Sequence, residues 1–110
     1  MNKYGAKKTE LDGMTFDSKA EARRYTDLIL LEKAGQISGL TCQVPFELAP
    51  SVKYQGDKRA KPPLRYVADF VYCENGVIVV EDCKGVLTDG FRIKRHLMKW
   101  VKGIDVRLSK

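Results

Sequence analysis

Two apolar runs on either side of an Asn-Gly pair constrain this 110-residue chain more than any other feature. The first runs from Arg65 to Tyr72 (Arg-Tyr-Val-Ala-Asp-Phe-Val-Tyr) and the second from Val77 to Lys84 (Val-Ile-Val-Val-Glu-Asp-Cys-Lys), with Glu74-Asn75-Gly76 between them. Asn-Gly is the strongest short hairpin signal, because both residues tolerate the left-handed backbone that a tight turn requires. The pattern predicts antiparallel strands over 65–73 and 77–84. Each carries charge within an apolar setting: Asp69 on the first, and Asp82-Cys83-Lys84 on the second. Side chains alternate along a strand, so Asp82 and Lys84 share one face while Glu81 and Cys83 share the other. Two carboxylates and an ammonium converging on a sheet can hold a hard divalent cation and stabilise charge on a phosphate. The competing reading is a surface ion-pair cluster on a half-exposed sheet. The flanking Val67, Val71, Val79 and Val80 weigh against it, because burying uncompensated charge is costly.

The rest of the chain supplies two helices and two further strands. Ser18 is a good N-cap and Glu21, three positions later, completes a capping box. Ala22, Tyr25, Leu28, Ile29 and Leu31 then recur at helical spacing, and Gly35 ends the helix. Residues 40–48 read as a strand in which Pro45 suits an edge or a bulge. Residues 49–64, rich in Pro, Gly and Lys, read as a basic mobile loop or hairpin extension. Thr88 or Asp89 caps a second helix over about 90–102, with Phe91, Leu97, Met98 and Val101 forming its apolar stripe and Gly103 its end. Trp100 reads as a core residue. Residues 104–108 alternate as a last strand, and residues 1–15 read as a basic arm with irregular structure. The order helix, strand, strand, strand, helix, strand predicts a single α/β domain over 1–110, with a mixed sheet flanked by helices.

Composition narrows the class of function. Hydrophobic content of 44% and charged content of 31% suit a soluble globular chain, and no apolar run approaches the length of a membrane span. No secretory h-region opens the sequence, and Cys42, Cys73 and Cys83 form no Cys-x-x-Cys pair. Reduced thiols and a cytoplasmic location are therefore expected. The net charge of +6 favours a polyanion partner. It is concentrated in two segments, Lys53, Lys58, Arg59, Lys61 and Arg65, and Arg92, Lys94, Arg95, Lys99 and Lys102. Two basic segments flanking an acidic motif fit phosphate-backbone contacts around a metal site.

Four residues have two readings each. Glu21 is either a capping glutamate alone or a carboxylate aimed at the site. Gln43 either orients a water or phosphate or faces solvent. His96, beside Lys94 and Arg95, fits a solvated or DNA-contacting helix face better than a general base. Cys83 faces away from Asp82 and Lys84 and has no histidine partner, which argues against thiol chemistry.

An acid followed by Asp-x-Lys on a hairpin, in this element order, resembles the PD-(D/E)XK, or restriction-endonuclease-like, nuclease superfamily. Ala68-Asp69 stands where that motif has Pro-Asp, and Asp82-Cys83-Lys84 where it has (D/E)-x-K. The chain is also similar to small phage-encoded endonuclease-like proteins of this superfamily. That similarity rests on Lys3-Tyr4-Gly5, Phe16 to Ala22, Glu32 to Ile37, Gln43, Tyr66 to Phe70 and Val80 to Gly85, nearly the whole chain. The resemblance implies that Asp69, Asp82 and the backbone carbonyl of Cys83 hold Mg2+ or Mn2+, with Glu21 completing the acidic site. It implies that Lys84 positions or activates the attacking water, and that Lys94 approaches the site from the second helix. The implied activity is DNA phosphodiester hydrolysis without an organic cofactor. The implied substrate is structured, such as branched DNA or a Holliday junction, and a homodimer would enlarge the footprint of so small a chain. The alternatives are a non-catalytic DNA-binding module, a recombination or packaging accessory, and a nuclease acting on RNA.

Overall fold

The computed structural model describes residues 9–109. Lys3-Tyr4-Gly5 and the first half of the expected arm lie outside the described residues. The element order is β1 (Thr9–Leu11), β2 (Met14–Phe16), α1 (Lys19–Lys33), β3 (Ser38–Ala49), β4 (Leu64–Glu74), β5 (Val77–Cys83), α2 (Asp89–Lys102) and β6 (Val106–Ser109). Four strands form one sheet in the order β3-β4-β5-β6, antiparallel except for the β5–β6 pair. The sheet is thus mixed, and α2 is the crossover that a parallel pair needs. Asn75 and Gly76 adopt φ of 52° and 77°, as the hairpin signal requires. Pro45 lies on β3, an edge strand, where its missing N–H costs no interior hydrogen bond. No helix among the described residues is long and apolar enough to cross a membrane.

The helices cover opposite faces of the sheet. Ala22, Tyr25 and Leu28 of α1 pack on Phe70, Tyr72, Val79 and Cys83. Phe91 and Met98 of α2 pack on Leu48, Tyr66, Ala68, Val80 and Val106. Strand β5 is buried on both sides from Val79 to Cys83, which suits its lack of apolar–polar alternation there, whereas Val77 and Ile78 at the hairpin end are exposed. Ser18 caps α1 by accepting from the Glu21 N–H at 3.1 Å, and Thr88 caps α2 by accepting from the Phe91 N–H at 3.1 Å. Beyond α1, Gly35 sits at φ 77° and the N–H groups of Gly35 and Gln36 reach the Glu32 and Leu31 carbonyls. This closes the helix in a Schellman motif, which a left-handed glycine makes inexpensive.

Three expectations are corrected. Residues 9–16 are not an irregular arm: β1 and β2 form an antiparallel hairpin, turned by Asp12 and Gly13 at φ 52° and 76°, and Phe16 is buried against Tyr25. Asp-Gly is itself a hairpin signal, but three-residue strands give too little alternation to support it. Trp100 is not in the core; it is 78% exposed. It follows Met98 by two residues, which on a helix is a rotation of about 200°, away from the buried stripe. Val101, expected on that stripe, is 49% exposed at its margin.

The 50–63 segment extends the β3–β4 hairpin beyond the layered core. It is joined across by a Val52↔Lys61 bridge, a Ser51 hydroxyl donating to the Lys61 carbonyl, and an Asp57 N–H donating to the Tyr54 carbonyl. The radius of gyration is 15.9 Å, against about 13 Å for a compact domain of this size, which reflects that extension.

Candidate active site

The site forms where β4 and β5 part. Their paired register runs from Glu74↔Val77 back to Phe70↔Glu81. Beyond it the Asp69 carboxylate takes the next donor: the Cys83 N–H donates to Asp69 Oδ2 at 2.9 Å. Asp69 also marks a change of face. Tyr66 and Ala68 pack in the α2 layer, whereas Phe70 and Tyr72 pack in the α1 layer. Strand β3 changes with it: Leu40 and Cys42 lie against the α1 layer, Phe46 and Leu48 in the other. The pairs Cys42↔Phe70 and Val44↔Ala68 bracket the change without a register shift. Gln43 lies between them at φ 54°, a left-handed conformation in which a non-glycine residue is strained.

Strict alternation would set Tyr66 and Asp69 on opposite faces. The change of face gathers Tyr66 with the acidic motif instead, and the Tyr66 hydroxyl donates to Asp82 Oδ2 at 2.5 Å. Asp82 is 1% exposed, so it belongs to the interior rather than to a sheet surface. Its Oδ1 has no hydrogen-bond partner; Lys84 Nζ faces it at 3.3 Å as an ion pair. That ammonium also stands 5.1 Å over the Phe91 ring, a cation–π arrangement at the start of α2. Asp82 and Lys84 therefore share the α2 face, as alternation predicts. Cys83 is buried on the α1 face, and burial raises its thiol above the ordinary range, against a nucleophilic role.

Glu21 takes part in the cap of α1, and its carboxylate lies beside Asp69. Its backbone N–H is capped by Ser18, and its Oε2 accepts from the Asp17 N–H at 3.2 Å. Its Oε1 accepts from Gln43 Nε2 at 3.0 Å, and the carboxylate lies within hydrogen-bonding reach of Asp69. Asp69 in turn lies within such reach of Asp82. Burial, then the charges of Asp82 and Glu21, push the Asp69 carboxyl up to about 8. Burial also raises Glu21.

A second buried network sets the position of α1. Glu81 is fully buried, yet both of its oxygens are satisfied. Arg24 donates through Nε to Oε2 at 2.7 Å and through Nη2 to Oε1 at 2.9 Å. Tyr72 adds a bond of 2.6 Å and Ser109 one of 2.9 Å. Burial alone would raise the Glu81 carboxyl, but these bonds outweigh it and hold it below the ordinary range. Arg24 lies one helical turn after Glu21, so this clamp fixes where Glu21 enters the site.

The expected DNA contacts lie elsewhere on the surface. Lys53, Lys58, Arg59, Lys61 and Arg65 are exposed on the hairpin extension and its base. Lys61 pairs with Asp57 at 3.7 Å and Lys99 with Asp105 at 2.8 Å, which offsets part of their charge. Arg95 is exposed and close enough to influence Tyr66, and Lys94 is half-buried on α2. His96 is exposed, in agreement with a solvated helix face.

Among the described residues, no three His, Cys, Asp or Glu side chains close into a ready-made metal cage. The donors nevertheless have the chemistry of a hard-cation site. Three carboxylates adjoin one another, one buried oxygen lacks a hydrogen bond, and burial, then the charges of Asp82 and Glu21, disfavours ionisation of Asp69.

Fold and site together define a mixed-sheet α/β protein with a carboxylate cluster at a strand divergence. The chain belongs to a family described as a protein of unknown function, DUF1064, whose profile matches residues 1–109. Nothing among curated proteins or among solved structures matches the chain.

Proposed function

We propose that this protein is a metal-dependent endonuclease with a restriction-endonuclease-like core, hydrolysing DNA phosphodiester bonds. The observation that carries the reading is the buried Asp82, with one oxygen lacking a hydrogen bond, next to Asp69, Glu21 and Lys84. Burial, then the charges of Asp82 and Glu21, disfavours ionisation of Asp69, and a divalent cation among the three carboxylates would offset both.

Asp69, Asp82 and Glu21, with the Cys83 carbonyl, are the residues that hold Mg2+ or Mn2+. The bound ion supplies charge to polarise the phosphate and lowers the pKa of a bound water. Lys84 orients the attacking water and meets the negative charge that develops on phosphorus. Gln43 and the Arg24–Glu81 clamp hold Glu21 in place. The exposed cations of the 50–63 extension, with Arg65, Lys94, Arg95 and Lys99, grip the phosphate backbone, and their spread favours a structured substrate such as a branch or four-way junction. The reading extends to a phage-encoded enzyme acting as a homodimer in the host cytoplasm, in which a second copy would double the phosphate contacts.

One observation favours a second reading, a recombination or packaging accessory that keeps the fold. Ile93, Trp100 and Val101 leave an apolar stripe exposed on α2, and such patches often mark protein contacts.

The test is cleavage of matched linear, flapped and four-way DNA, with an RNA duplex alongside, in Mg2+ and in chelator. The nuclease reading expects Mg2+-dependent cutting of DNA that is lost in Asp82→Ala and Lys84→Ala. Binding without cleavage of any substrate would transfer support to the accessory reading.

A further inference from the structure

Asp82 presents two oxygens with different surroundings. Oδ2 is engaged by the Tyr66 hydroxyl at 2.5 Å, short enough for a charge-assisted bond to a carboxylate. Oδ1 has no hydrogen-bond partner and faces Lys84. Tyr66 cannot easily withdraw: it is 3% exposed, with its ring between Phe46 at 6.5 Å and Phe91 at 6.1 Å. At neutral pH an ordinary phenol is a hydrogen-bond donor. The packing of β3, β4 and α2 thus holds a donor against one oxygen of a carboxylate whose other oxygen has no hydrogen bond and only the Lys84 ammonium facing it, at 3.3 Å.

We propose that Tyr66 is a positioning residue that restricts Asp82 to one-oxygen coordination and thereby biases the site toward Mg2+ over Ca2+. This rests on the metal-dependent reading above. Mg2+ demands near-octahedral geometry at about 2.0–2.1 Å and is served by single carboxylate oxygens with waters, whereas Ca2+ gains from bidentate carboxylates at about 2.3–2.6 Å. A phenol fixed on Oδ2 removes the bidentate option and disfavours the larger ion. The sequence hides this role, since Tyr66 stands in the same apolar run as Asp69 with the wrong parity to face it under simple alternation.

The test is calorimetric titration of Mg2+ and Ca2+ into wild type and Tyr66→Phe. The Phe ring preserves the packing and removes only the donor. The proposal expects the preference for Mg2+ over Ca2+ to fall by about tenfold or more in Tyr66→Phe, since only Ca2+ gains from the freed oxygen. A loss of both affinities by the same factor, or an unchanged ratio, overturns it and leaves the nuclease reading standing. A wild type that binds neither ion overturns both. Should Tyr66→Phe fail to fold, a crystal structure of the wild type with Mn2+, located by anomalous scattering, decides the matter. Coordination through Oδ1 alone, with Tyr66 still on Oδ2, supports the proposal, and contact between Mn2+ and Oδ2 overturns it.

Discussion

Replacing Asp69 by Asn should make the metal-free protein more stable, and by an amount that depends on pH. The Asp69 carboxyl rises from 3.8 to about 8 on folding, because it is buried and lies beside Asp82 and Glu21. A carboxyl with a raised folded pKa binds its proton more tightly in the native state, so its contribution to stability is fully present below the unfolded pKa and is lost as pH rises through the folded one. The window therefore runs from about pH 4 to about pH 8. A shift of about four units corresponds to roughly 5 kcal/mol as an upper limit, and relaxation of the cluster should leave about 2–3 kcal/mol of it. The Asn carbonyl can still accept from the Cys83 N–H, and its amide can donate to a neighbouring carboxylate. The assay is urea unfolding in chelator between pH 5.5 and 8.5. There Glu81, whose carboxyl is held below the ordinary range, is ionised folded and unfolded alike and adds no slope. The advantage of Asp69→Asn over wild type should grow by up to about 1.4 kcal/mol per pH unit and level off above about pH 8. An advantage that does not change with pH, or a less stable Asn variant, would refute the argument that these carboxylates repel one another in the folded state.

Three further outcomes follow from the packing. Glu81→Ala should cost about 3–5 kcal/mol in chemical denaturation, because it strands Arg24 and the Tyr72 hydroxyl around an empty position; a cost below about 1 kcal/mol would mean the clamp does not anchor α1. Gln43→Gly should raise the free energy of unfolding slightly, by up to about 1 kcal/mol, since glycine accepts the left-handed backbone at φ 54° without strain. The same variant should weaken Mg2+ binding, because Glu21 loses its Gln43 hydrogen bond. Trp100→Ser should change stability by less than about 0.5 kcal/mol, as expected for an exposed side chain; a loss of several kcal/mol would place that ring in the core after all.

Features that depend on local chemistry were readable in the sequence. Ser18, Gly35, Thr88, Gly103 and Asn75-Gly76 punctuate the chain through their own conformational preferences, and both helices and all four strands of the main sheet follow from them. Asp82, Cys83 and Lys84 were assigned their faces by alternation because β5 is regular. Alternation failed on β4, where the change of face at Asp69 is coupled to the left-handed Gln43 on β3, a tertiary event with no local signature. Neither the Tyr66 contact nor the Glu81 clamp, whose partners come from α1, β4 and β6, therefore has a signature in the local pattern. Trp100 departs from the expected core for a different reason: helical spacing identifies a face only once the phase of the buried stripe is known, and Met98 sets that phase.

The account depends most directly on whether Asp82 supports metal-dependent hydrolysis. The decisive measurement is the initial rate of cleavage of a labelled four-way DNA junction in Mg2+ by wild type and by Asp82→Asn, which keeps the side-chain volume and removes the charge. Cutting by wild type should stop in chelator, and the variant should lose about a hundredfold or more, in line with removal of a ligand from the ion that would polarise the phosphate. Equal rates for the two proteins, or cutting that persists in chelator, would contradict it.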